Sequence, residues 1–138
     1  MFKKIIVPGL LAGLAAVVTG MMLSMGIEKI FPAIMAQYHN PGIFRAWSDP
    51  KMSIFFACPF LLGLGLAWVW DKIKIVVPGN VWKRAGLVTM GIFLISTIPG
   101  MTISYSTFQI SAAMTLSWTV IGVAQAYVTA LVLAIMNV

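Results

Sequence analysis

Between Ile5 and Ile27 the chain runs for 23 residues without a charged side chain. At 1.5 Å of rise per residue, about 20 helical residues cross the hydrocarbon core of a bilayer. Lipid cannot satisfy an open backbone, so a segment of this kind crosses as a helix. Lys3 and Lys4 precede the run, and Ala12–Ala16 imitates a cleavage site. A secretory signal, however, has an apolar core of only roughly 7–15 residues. The run is therefore read as a retained helix.

Three further apolar stretches follow. Ser48-Asp49-Pro50 opens the second, with Asp49 placed to cap free amides and Pro50 suited to the first helical position. It runs to about Trp70, and Trp68 and Trp70 are expected at its far interface. Val77-Pro78-Gly79-Asn80 reads as a short turn, and Trp82, Lys83 and Arg84 lead into the third stretch. The expected helices are about 5–27, 50–70, 85–104 and 110–136. Only 9% of the chain is charged and 61% is hydrophobic, against roughly one quarter charged in soluble domains. A water-soluble fold of 138 residues could not hide that surface. The fold class is an all-α membrane protein: a four-transmembrane-helix bundle forming a single membrane domain, 1–138.

Beyond Ile27 the pattern turns amphipathic. Ile27, Ile30, Phe31, Ile34, Met35 and Tyr38 recur at helical spacing, interrupted or restarted at Pro32. This predicts an interfacial amphipathic segment between helices one and two. His39-Asn40-Pro41-Gly42 is a turn, and Phe44, Arg45 and Trp47 form an interfacial anchor.

The net charge of +6 follows membrane topology rather than nucleic acid, because Lys and Arg sit in short clusters between apolar runs. Lys3, Lys4, Lys72, Lys74, Lys83 and Arg84 fall on one side; Lys29, Arg45 and Lys51 fall on the other. The positive-inside rule then predicts both termini in the cytoplasm, in an inner membrane of prokaryotic type.

Two features predict how the helices meet. Ala12, Ala16, Gly20 and Ser24 recur every four residues on helix one, flanked by Gly9 and Gly13; Gly122 and Ala126 share that spacing on helix four. Small residues let backbones approach closely, which drives packing in lipid. They serve either packing within one chain or an interface between copies. The second feature is polar. Thr115, Thr119, Gly122, Gln125 and Thr129 form a stripe on helix four. Pro99-Gly100 interrupts helix three near Ser96, Thr97 and Thr102. Pro99 has no N–H, so the carbonyl of Ile95 is left free and a kink is expected. Ser96, Thr102, Ser106, Thr115, Thr119, Gln125 and Thr129 are the candidates for a polar path, with interhelical hydrogen bonding as the alternative.

Catalytic and cofactor chemistry finds little to work with. His39 is the only histidine, which excludes a bis-histidine haem within one chain and any multi-histidine metal site. Cys58 is the only cysteine, so no intramolecular disulfide forms. Glu28 lies at the end of an apolar run beside Lys29 and reads as solvated. Met21 and Met25 share a face in a Met-x-x-x-Met spacing that suits Cu(I), although methionine is also ordinary apolar filler. No cofactor is expected.

Two internal or external likenesses stand out. Lys4-Ile5-Ile6-Val7-Pro8-Gly9 resembles Lys74-Ile75-Val76-Val77-Pro78-Gly79 at an offset of 70 residues, and Val18-Thr19 and Val88-Thr89 keep that offset. Either a duplication or chance similarity of apolar segments accounts for it. Gly100-Met101-Thr102-Ile103-Ser104-Tyr105-Ser106-Thr107-Phe108 resembles the broken third helix of the small four-helix fluoride channels, sharing Gly100, Thr102, Ser106, Thr107 and Phe108. The likeness covers nine residues; the asparagine of helix two is missing and the first loop is long. The resemblance implies a path lined by Thr102, Ser106 and Phe108.

The expected function is a non-enzymatic integral membrane protein that associates with itself or serves as an accessory subunit of a membrane complex, with lipid as its medium. A small ion channel or transporter is the alternative. An enzyme with a site in the Glu28–Lys51 loop ranks third.

Overall fold

A computed structural model describes residues 2–136; Met1, Asn137 and Val138, the ends of the expected domain, lie outside the described residues. All regular structure among them is helical. Four helices are long and apolar enough to cross a membrane: Lys3–Ile30, Pro50–Ile73, Val81–Thr107 and Ala112–Met136.

The first span is α1, Phe2–Ile30. It breaks at Phe31 and restarts at Pro32 as α2, Pro32–Tyr38. The second span begins as a 3-10 helix, Pro50–Ala57, and becomes α3, Cys58–Ile73. Asp49 caps it by accepting from the Lys51 amide at 2.9 Å. Pro59 removes one helical amide at the changeover, and the Cys58 amide instead donates three residues back to Phe55.

The third span holds α4, Val81–Ile92, a π turn over Phe93–Thr97, and α5, Ile98–Thr107. It starts four residues before the expected boundary. Asn80 provides the stop signal for the turn and the start signal for the helix, its side chain accepting from the Lys83 amide at 3.0 Å. Gly79, at φ +110°, makes the preceding turn. The last span is α6, Ala112–Met136.

The helices pack around α1 and α6, with α3 against α1 and α4 against α6. Where α1 crosses α3, glycine decides the distance. A methyl group on Gly63 would lie 2.2 Å from the Gly9 carbonyl and 2.7 Å from the Gly13 amide. Two backbones touch there, which is how helices gain dispersion contact in lipid.

One core joins all four spans. Ala12, Ala67, Trp70, Ala85, Leu133 and Ala134 are buried together, with Ile5, Ile73 and Val81 against them. This brings the start of α1, the end of α3, the start of α4 and the end of α6 to one end of the bundle. Lys3, Lys4, Lys72, Lys74, Lys83 and Arg84 therefore share that end. A smaller core of Ile34, Ile110 and Met114 lies at the opposite end, with Tyr38, Phe44 and Trp118 around it.

Candidate functional site

The expected polar residues separate onto two surfaces. At 100° per residue, the stripe from Thr115 to Thr129 spreads over roughly 120° of the helix circumference, with Thr119 at one edge and Gln125 at the other, so its edges face different neighbours. Gln125 faces α1 and donates to the Ala16 carbonyl at 3.0 Å. Gly20 makes room for it: a methyl group there would sit 2.3 Å from the Gln125 amide nitrogen. Thr129 is fully buried and donates to the Gln125 carbonyl at 2.7 Å.

Thr115 and Thr119 face the other way, into a groove between α5 and α6 of about 500 Å³. Thr97, Thr102, Tyr105 and Ser106 line its opposite wall with Phe93 and Met101, and Leu116 joins the α6 wall. Four of the seven expected path residues thus meet in one groove: Thr102, Ser106, Thr115 and Thr119. Ser96 is exposed and not part of it. Phe108 is exposed and also lies outside it.

Four of the six hydroxyls in the groove donate to carbonyls close by in the chain; those of Thr97 and Tyr105 do not. Thr102 donates to the Ile98 carbonyl at 2.9 Å, and Ser106 to Ile103 at 3.0 Å. Thr115 donates to Ser111 at 3.2 Å, and Thr119 to Thr115 at 2.8 Å. Such back-bonding turns a hydroxyl into a nearly apolar surface. No charged residue lines the groove. Its chemistry is that of a helix-packing surface: methyl groups, small residues and hydroxyls with spare acceptor capacity.

The wall formed by α5 stands away from the bundle. None of its residues is buried. The π turn ahead of Pro99 has the same character, with Ile95 81% exposed. Within it the Ile98 amide reaches back five residues to Phe93. The irregularity thus lies one turn before Pro99, and Gly100–Thr107 is unbroken α-helix. The broken segment that the fluoride-channel likeness implies is displaced upstream. Thr102, expected as a partner for the freed carbonyl, donates to Ile98 rather than Ile95.

The small-residue stripe also divides. Ala12 and Ala16 are fully buried and Gly20 is buried, while Ser24 is exposed. Each four-residue step drifts by roughly 40°, so three steps carry Ser24 about 120° from Ala12. On α6, Ala126 is buried, whereas open space surrounds Gly122. Gly63, the tightest contact in the molecule's glycine set, stands four residues before the buried Ala67, a spacing signal on α3 that the reading of helices one and four passed over. What that face meets is decided by Gly9 and Gly13 opposite.

No family model, curated protein or solved structure matches the chain.

At the loop end, α2 is held by α6. The Gln37 side chain donates to the Ser111 hydroxyl at 2.9 Å and accepts from the Ser111 amide at 3.0 Å. The Trp118 indole donates to the Tyr38 hydroxyl. Beside this contact lies a cavity of about 160 Å³ lined by Tyr38, His39, Phe44, Arg45 and Trp47, among others. Arg45 is paired with Asp49 at 3.0 Å. The Lys51 amide and then Arg45 hold the Asp49 carboxyl below its usual value. Glu28 is not part of this cavity.

At the basic end, the expected interfacial Trp70 is instead 1% exposed. Arg84 covers it, with the guanidinium carbon 4.7 Å from the ring centre. The Arg84 Nη2 donates to the Lys74 carbonyl. The Trp70 Nε1 and Arg84 Nε are both buried without a partner. Each such donor costs roughly 1–3 kcal/mol while unpaired. Trp68, by contrast, is exposed.

Proposed function

We propose that this is a non-enzymatic integral membrane protein that works by lateral association, as an oligomer or as an accessory subunit of a membrane complex. One observation carries the reading: α5 buries none of its residues, and the groove it forms with α6 is lined by apolar side chains and hydroxyls, most of them back-bonded, without a charge. Small and hydroxylated surfaces of this kind are what helices use to pack in lipid. In the same reading both termini lie in the cytoplasm of a prokaryotic-type cell, since six of the nine basic residues gather at the end that carries them. The segment from α2 to Trp47 lies in the opposite interface.

Purification in mild detergent followed by native mass spectrometry tests this. The expected species contain more than one copy of the chain or a co-purifying subunit. A lone chain carrying only lipid would overturn the reading.

A second reading has its own support. The groove gathers Thr102, Ser106, Thr115 and Thr119 beside a π turn, and such turns concentrate at functional sites. A small channel or transporter would use this groove as its path. In a Cys58→Ala background, Thr102→Cys should react slowly with a water-soluble thiol reagent, and liposomes should show no flux. Fast labelling, with selective flux through the purified protein that the reagent blocks, would establish the channel instead.

A further inference from the structure

Six of the eight threonines, Thr19, Thr89, Thr102, Thr115, Thr119 and Thr129, donate to the carbonyl four residues back. The bond hides each hydroxyl from lipid. Thr97 departs from this pattern. It lies in the π turn, where the Phe93 carbonyl receives the Ile98 amide, and its hydroxyl has no partner among the described residues. Thr97 faces the groove from well inside the 27-residue third span, at a depth where lipid offers no acceptor.

The facing wall offers what Thr97 lacks. Thr119 has spent its proton on Thr115 but keeps lone pairs to accept. Gly122 stands ten residues after the start of α6, and Thr97 ten before the end of α5, so the two lie at similar depth. Open space surrounds Gly122, which leaves the α6 backbone uncovered there. Donor and acceptors are separated by a groove of about 500 Å³. The backbone allows that gap to close. Ala85, Val88 and Thr89 anchor α4 in the bundle, whereas α5 buries no residue. Between these two arms Pro99 supplies no amide to Leu94 or Ile95, its acceptors in π and α register. The joint therefore has fewer backbone hydrogen bonds to strain than a regular helical turn.

We propose that the π turn and Pro99 form a hinge about which α5 closes onto α6. The groove then alternates between an open form and a closed one, in which the Thr97 hydroxyl donates across it. This device governs access to the surface proposed above for association, since the closed form removes the groove. It stands whether or not that association occurs.

The test uses one full chain per nanodisc in a Cys58→Ala background. Spin labels are placed through Met22→Cys on α1, which packs against α6, and Ile103→Cys on α5; both positions are exposed. Pulsed dipolar electron paramagnetic resonance should give two distances, the shorter from the closed form. A second pair, Leu10→Cys and Leu87→Cys, links α1 to the anchored α4 and should give one. Thr97→Val keeps the side-chain shape and removes the proton. It should lower the closed-to-open ratio about three-fold, the worth of one interhelical hydrogen bond in lipid. Thr102→Val should leave the ratio unchanged, because that hydroxyl already serves Ile98.

A single distance for the first pair in the otherwise unmodified chain would overturn the proposal. Two distances for the second pair would overturn it too, since the whole bundle would then be breathing. Equal shifts in Thr97→Val and Thr102→Val, or none in either, would show that closure does not depend on the free hydroxyl and would also overturn it. Single chains are measured, so failure here leaves the association reading to be decided by its own native mass spectra.

Discussion

At the basic end, Trp70, Ala85 and Leu133 are sealed among four helices; two turns past the middle of the third span, α5 seals nothing. The two regions are built from similar material. Both are apolar, both contain glycine and both belong to helices long enough to cross a bilayer. The difference lies in where their small residues stand. Gly9, Gly13 and Gly63 face one another, and the backbones of α1 and α3 close to contact. Gly100 and Gly122 face open space. Burial in lipid follows from shape matching, not from apolarity, because lipid solvates apolar side chains as well as protein does. The π turn then separates the two regimes within one span, packed in α4 and unpacked in α5.

The same substitution should therefore have opposite effects in the two regions. Gly63→Ala should be the most damaging small change, by about 3 kcal/mol, because its methyl group meets backbone that cannot rotate away. Unfolding in mixed micelles measures it, and an unchanged midpoint would show that α1 and α3 are not in backbone contact. Gly20→Leu comes next, at about 2 kcal/mol, since it must expel Gln125 from the Ala16 carbonyl. It should disturb assembly more than Leu23→Ala; equal expression, stability and oligomeric state for Gly20→Leu would refute the role of that face. Asn80→Ala removes the cap of α4 at the packed end and should cost about 1 kcal/mol. Full stability of that variant would place the start of the third span nearer Ala85.

Gly100→Ala should have the smallest effect, and a favourable one of about 0.5–1 kcal/mol, from the better helix propensity of alanine. A marked loss of stability or of the oligomer would mean that another helix covers α5 as closely as α3 covers α1. That result would sharpen the association reading by locating its interface.

The existence, type and rough length of the four spanning helices were legible in single residues. Uncharged runs longer than a bilayer core admit one backbone solution, and Asp49-Pro50 marked the start of the second span as the structure has it. Ala12, Ala16 and Ala126 could be picked out by spacing because close packing requires small side chains at regular intervals. Asn80 was legible as punctuation, though read as the end of a turn rather than a helix cap. Other features take their meaning from the tertiary structure. Gly63 matters through Gly9 and Gly13, Trp70 through Arg84, and Gln37 through Ser111, 74 residues away. The repeated hexapeptide shows the division best. Lys4–Gly9 is helix inside α1, with Gly9 against α3; Lys74–Gly79 leaves the bundle as a turn, with Ile75 88% exposed and Gly79 at positive φ. Local sequence specifies that both segments are apolar and end in Pro-Gly. Whether such a segment continues a helix or ends one depends on what lies beside it, and close packing against a second backbone is available to the first copy only.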